Sequence, residues 1–156
     1  MSKENSTTEI SKVTLPEVID ERIDLDRLFG KPKGQLNLHF GEVKRITSMG
    51  IRAFKMSLDR LKAEKVSIVL VEVTPPIIEA MDFISNLIPL GSRIESVLLP
   101  YSCRECKNDF MVLHPFQDLS TKQTELESAP CTLCGKASEF DHLKEIYFKP
   151  WPKHYF

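Results

Sequence analysis

The chain has four cysteines, Cys103, Cys106, Cys131 and Cys134, and they stand as two Cys-x-x-Cys pairs with 24 residues between them. A two-residue gap lets one tight turn aim both sulfurs at a single point, and two such turns supply the four ligands of a tetrahedral metal. No hydrophobic pattern in the last third of the chain constrains its fold as tightly. Stable disulfides and a redox-active Cys-x-x-Cys are the competing uses. A reducing compartment disfavours the first, and repetition of the pair disfavours the second. The expected cofactor is one structural Zn2+ on Cys103, Cys106, Cys131 and Cys134, and iron is the other metal that four thiolates suit. With cysteine in all four places, substrate and water have no open position, so the metal's task is to fold the segment.

Around these pairs, "NDFMVLHPF" and "ASEFDHLKEIYF" can supply the strands of a small β-hairpin unit, and the polar "QDLSTKQTELESAP" between them is expected to be an exposed loop. Residues 101–156 are thus expected to form a zinc ribbon with an aromatic C-terminal tail. Ribbons of this kind often bind nucleic acid, yet this segment carries seven Lys and Arg against eight Asp and Glu, before the charge of the thiolates is added. That balance repels phosphate. Lys144, Lys149 and Lys153, near Tyr147, Trp151 and Tyr155, could make a local basic and aromatic patch, or the aromatics could pack inward.

Residues 10–100 read differently, as strand-like and helix-like segments in alternation. "ISKVTL" suits a strand, and "DERIDLDRLF" places Leu25, Leu28 and Phe29 on one face of a short helix. In "GQLNLHF", Leu36, Leu38 and Phe40 alternate with Asn37 and His39, the period of a strand covered on one side. Ile51, Phe54, Leu58 and Leu61 recur at helical spacing, and "VSIVLVEV" has the branched, nearly continuous apolar character of a central strand. "TPPIIEAMDFISNLIPLG" follows, with Thr74 at the cap, Pro75 at the first helical position, and Ile77, Met81, Ile84 and Ile88 as its buried stripe. "RIESVLLP" is the last strand. The expected class is α/β, a sheet backed by helices, preceded by a disordered N-terminus over residues 1–9.

The pieces "VIDERIDLDRLF", "LNLHFGEVKRITSMGIRAF" and "IVLVEVTPPIIEAM" together resemble the STAS domain of bacterial anti-sigma-factor antagonists. The resemblance covers about residues 10–99. It implies a regulator that works by protein–protein contact, with an anti-sigma or switch-kinase-like protein as partner. It also implies that the loop opening the first long helix carries a hydroxyl whose phosphorylation decides what is bound. The family's Asp-x-Ser-Gly pattern, laid on "ITSMG", puts Thr47 at the Asp position, Ser48 in the middle and Met49 at the acceptor position. Ser48 is then either an acceptor one residue early, favoured by the helix N-terminus, or the helix cap. In both cases Thr47, Ser48, Met49, Gly50 and Arg52 form the candidate partner-binding loop.

Other functions find less in the sequence. The chain lacks a phosphate-cradling glycine loop, and His39, His114, His142 and His154 have no visible base, nucleophile or carboxylate partner, so no enzyme is expected. The formal net charge of -1 sets up no general field for nucleic acid or anionic membrane. Apolar runs fall well short of the roughly 20 residues of a membrane span, and the polar start "MSKENSTTEI" is no secretory signal, so the expected location is the cytoplasm. A homo-oligomer is compatible with all of this. The alternative function is a nucleic-acid-binding ribbon protein whose α/β part dimerises.

Overall fold

The structure, a computed structural model, describes residues 8–156. In chain order the first half comprises β1 (Ile10–Thr14), β2 (Val18–Ile19), α1 (Leu25–Phe29), β3 (Gln35–His39), β4 (Arg45–Ile46), α2 (Ser48–Ala63), β5 (Ser67–Val71), α3 (Pro75–Phe83) and β6 (Arg93–Ile94). The second half comprises β7 (Ser96–Ser102), β8 (Asp109–Pro115), α4 (Asp118–Thr121), α5 (Gln123–Leu126), β9 (Ser128–Pro130), β10 (Ala137–Phe140) and α6 (Lys144–Tyr147). The protein is of mixed α/β class.

Strands β1, β3, β5 and β6 lie parallel in that order, each paired with the next of these four. When sheet order follows chain order, right-handed crossovers carry every connecting helix to the same face. The strand pattern obeys this. Leu36 and Leu38 of β3, Ile68 and Leu70 of β5 and Ile94 of β6 are buried in one core with Phe54, Leu58 and Leu61 of α2 and Ile77, Ile78 and Met81 of α3. On the opposite face, Lys12, Asn37, Val69 and Arg93 share one row. A second small sheet, β2 beside β4, sits at the mouth of α2.

The second sheet has the order β8-β7-β10-β9 and is antiparallel. It is not separated from the first. Val73, just beyond β5, bridges Val97, and Val97, Leu99 and Tyr101 of β7 belong to the same buried cluster as the parallel sheet. The expected division between 100 and 101 falls inside β7. Pro100 leaves the ladder to β8 intact because its backbone faces away from that strand, where its carbonyl accepts from Asp141 N at 2.9 Å.

Three further expectations are corrected. The helix that was to run on through Ile84 and Ile88 stops at Phe83, where Ile84 turns extended; Leu87, Ile88 and Pro89 still cover the core, but as irregular chain. Leu28 does not share the buried face of α1, since it is exposed while Leu25 and Phe29 are buried. The segment between the cysteine pairs is no plain loop, because Leu119 and Leu126 are buried and draw it into α4 and α5. Residues 1–7 of the expected disordered N-terminus lie outside the described residues, while the Glu9 carbonyl already accepts from Gln35 N at 2.9 Å.

Candidate functional site

The four cysteines are brought together by two turns of the same design. In one, Lys107 N donates to the Cys103 carbonyl at 3.0 Å and Cys103 N to the Asn108 carbonyl at 2.9 Å. In the other, Gly135 N donates to the Cys131 carbonyl at 3.0 Å and Cys131 N to the Lys136 carbonyl at 2.8 Å. The residue after the second cysteine is left-handed in both, Lys107 at φ 62° and Gly135 at φ 75°. All four sulfurs lie within 4.8 Å of one another, and Cys103–Cys134 and Cys106–Cys131 approach to 3.6 and 3.5 Å. These are not disulfide lengths, which are near 2.05 Å. They fit the roughly 3.8 Å edge of a tetrahedron with 2.3 Å metal–sulfur bonds. Four cysteines so placed can hold one metal ion.

The electrostatics ask for a cation. The backbone N–H groups of Cys134, first, and Leu133 hold the Cys131 thiol down to about 6, and that of Cys106 lowers Cys103. Against the pull of the Asn108 N–H, the neighbouring sulfurs, Cys131 foremost, push Cys106 up to about 12. Two sulfurs thus favour the thiolate while a third resists a further negative charge, which a bound cation would relieve. Asn108 Nδ2 reaches both Cys131 Sγ at 3.6 Å and Thr132 Oγ1 at 3.0 Å and ties the two turns together. Among the described residues these cysteines are the only His, Cys, Asp or Glu group arranged for a metal.

The mouth of α2 differs from the expectation in one respect. Thr47, not Ser48, caps the helix: its Oγ1 accepts from Gly50 N at 3.1 Å with extended backbone at Thr47. Thr47 N is itself held by the Ile19 carbonyl at 3.0 Å, which fixes the helix start one residue before Ser48. Gly50 is required by contact, since a Cβ there would lie 2.1 Å from the Ile19 carbonyl oxygen. The helix N-terminus therefore rests directly on β2. Ser48, Met49 and Arg52 are left exposed, Met49 by 54%, on a first turn whose backbone is clamped. Behind it, Asp20 is held below the ordinary carboxyl range by hydrogen bonds from the Arg22 guanidinium and then its backbone N–H.

Beside this turn runs a groove of about 310 Å3 lined by Ile46, Ile51, Pro76, Ala80 and Phe83, which is 87% exposed, together with the charged Lys44, Arg45 and Glu79. Sequence reasoning did not single out the groove. Phe83 falls off the helical stripe of Ile77 and Met81, and that was the available signal.

The basic and aromatic tail does not assemble as a stacking patch. Tyr147, Trp151 and Tyr155 are buried, with Trp151 and Tyr155 packed on Phe116. Lys144 pairs with Glu127, and Lys149 pairs with Asp82 of α3 while lying over the Trp151 ring. His142 bonds Glu79 of α3 at 2.6 Å, a second tie between tail and helix. His114 Nδ1 lies 3.9 Å from Asp118, and no histidine joins the thiolates. No helix among the described residues is long and apolar enough to cross a membrane. Comparison with protein-family models, curated proteins and solved structures yields no significant match to this chain.

Proposed function

We propose that the chain is a non-enzymatic regulator that works by protein–protein contact through the mouth of α2, and that its four thiolates hold one structural zinc. The observation that carries the first part is the combination of a clamped backbone with exposed side chains at Ser48, Met49 and Arg52, beside a groove of mixed apolar and charged lining. A rigid platform limits the entropy lost on docking, and a thioether adapts to a partner's surface. The resemblance to antagonist STAS domains points to an anti-sigma or switch-kinase-like partner in bacterial signalling. Because Thr47 does the capping, the Ser48 hydroxyl is free of that duty, and a phosphate there would face the positive end of α2 near Arg45 and Arg52.

Zinc is favoured over iron because four thiolates that fill every position of a tetrahedron suit a structural zinc. The metal when bound supplies the cross-link between the two turns; the chain's own residues shape and charge the cage. Elemental analysis of the purified chain is expected to return one zinc per molecule. Capture from the native cell is expected to retain a protein with wild type and to lose it with Met49→Lys. A partner held equally by wild type, Met49→Lys and Ser48→Asp would refute this interface.

A further inference from the structure

Strand β8 is an edge of its sheet, and its register with β7 settles which way each backbone group points. Phe116 N donates to the Glu95 carbonyl at 3.0 Å and Cys103 N to the Asn108 carbonyl at 2.9 Å, at the two ends of the ladder. Hydrogen-bonded pairs alternate along an antiparallel ladder, so Phe110, Val112 and His114 turn their N–H and C=O groups toward β7. Asp109, Met111 and Leu113 turn theirs outward. Among the described residues no other backbone group bonds to the outward set. The edge also has few of the usual protections: β8 has seven residues, no lysine, a single charge, at Asp109, and one proline, Pro115, at its last position. Met111 and Leu113 are 47% and 53% exposed on one face of it.

We propose that β8 pairs antiparallel with β8 of a second copy about a two-fold axis at Val112. In that register Met111 faces Leu113 of the other copy, and each such pair exchanges two backbone hydrogen bonds, because both residues have outward N–H and C=O groups. The pattern is self-complementary beyond the backbone. Leu98 pairs with Leu113 and Pro100 with Met111 within one chain. Joining two edges thus builds apolar rows of four, running Pro100, Met111, then Leu113 and Leu98 of the second copy, and the same in reverse. Asp109 meets Pro115, so no like charges oppose each other, and a slip by two residues would set Asp109 against Leu113 instead. Pro115, which has no N–H, falls at the end where the loss is one bond. The result is a continuous eight-stranded sheet. A single strand covers less than the roughly 800 Å2 per partner of a standard interface, so the dimer is reversible and concentration-dependent. The proposal is independent of the partner-binding role of α2.

The test is the solution mass of the full, metal-loaded chain under reducing conditions, followed by light scattering or sedimentation from low micromolar to high micromolar concentration. Wild type is expected to move from the mass of one chain toward that of two. Leu113→Lys puts a charge in the centre of the joined rows, and Leu113→Pro removes an outward N–H while leaving the ladder to β7 intact. Both are expected to stay monomeric at every concentration, with unchanged circular dichroism and metal content. Wild type that remains monomeric throughout overturns the proposal, whether or not other proteins bind the edge. So does a dimer that Leu113→Lys leaves intact, and that variant decides alone if Leu113→Pro fails to fold.

Discussion

The parallel sheet and the antiparallel sheet share one core but are held together by different means. Around β3 and β5, stability comes from apolar side chains that fill a layer between strands and helices: Leu36, Leu38, Leu70, Phe54, Leu58 and Leu61 are fully buried. Around β9 and the cysteine turns, apolar burial is thin, and β10 adds only Phe140 to the core. Ala129 is half-buried, Leu133 is 76% exposed, and all of β9 outside Ala129 is exposed. There the chain is organised by four sulfurs, and the far side by a knot of aromatics, Phe116, Trp151 and Tyr155, laid against the sheet. Where apolar surface is short, a metal held by the four sulfurs would take over the role of a core.

The largest expected effect tests that contrast directly. Removing the metal by chelation, or replacing one ligand as in Cys131→Ser, should release β9, β10 and both cysteine turns, because metal binding of about 10 kcal/mol is local folding energy there. The β7 strand should hold at its start, where Leu98 N bonds the Val73 carbonyl and Val97 lies in the common core. Hydrogen exchange should therefore rise across residues 128–140 and stay low across β3 and β5. Loss of protection in both sheets at once would mean that the shared core depends on the metal as well.

The same contrast explains what could be read in the sequence. The Leu36, Leu38, Phe40 alternation and the stripe from Ile51 to Leu61 are local patterns, and burial matches them. So is the spacing of the cysteines, whose clustering depends on two short turns. The continuity of β7 through Pro100 is not local: it depends on Asp141 supplying a donor to a carbonyl 41 positions earlier, which no window of sequence contains. The cap is similar. Thr47 and Ser48 are equally good capping residues by type, and the choice is made by the Ile19 carbonyl, far back in the chain. The buried roles of Leu119 and Leu126 likewise arise from the second sheet lying under them.

A smaller effect, and one confined to the first half, is expected from Gly50→Ala. The added Cβ would sit 2.1 Å from the Ile19 carbonyl oxygen and 3.1 Å from Asp20 N, both backbone atoms that cannot swing away. The helix would have to lift off β2, at a cost of about 3 kcal/mol in thermal or denaturant unfolding, with metal content unchanged. A variant as stable as wild type would show that the mouth of α2 is not clamped.

Smaller again is the cap. Thr47→Ala should lower stability by about 1 kcal/mol, since Gly50 N loses its acceptor, while Ser48→Ala should change it by a few tenths at most. Equal losses from both variants would mean that the two hydroxyls share the capping, and that Ser48 is less free for modification than its position suggests.

The smallest expected effect is a pH-dependent one at the seam between α1 and α2. Asp26 is held below the ordinary carboxyl range, first by the Ser57 hydroxyl at 2.8 Å and then by the Arg60 guanidinium at 3.0 Å. A carboxyl whose folded pKa is depressed contributes stability that is present above its unfolded value and is lost as pH falls through the folded one. Asp26 is largely exposed, so solvent screening keeps the contribution below about 1 kcal/mol. Asp26→Asn keeps an acceptor for Ser57 and removes only the charge. Denaturant midpoints of wild type and Asp26→Asn should therefore differ slightly at pH 7, with wild type the more stable. The gap should close as pH is lowered from the region of 4 through the folded pKa, and added salt at pH 7 should narrow it too. A gap that persists in acid would assign the loss to geometry around Ser57 instead of to the charge that Arg60 faces.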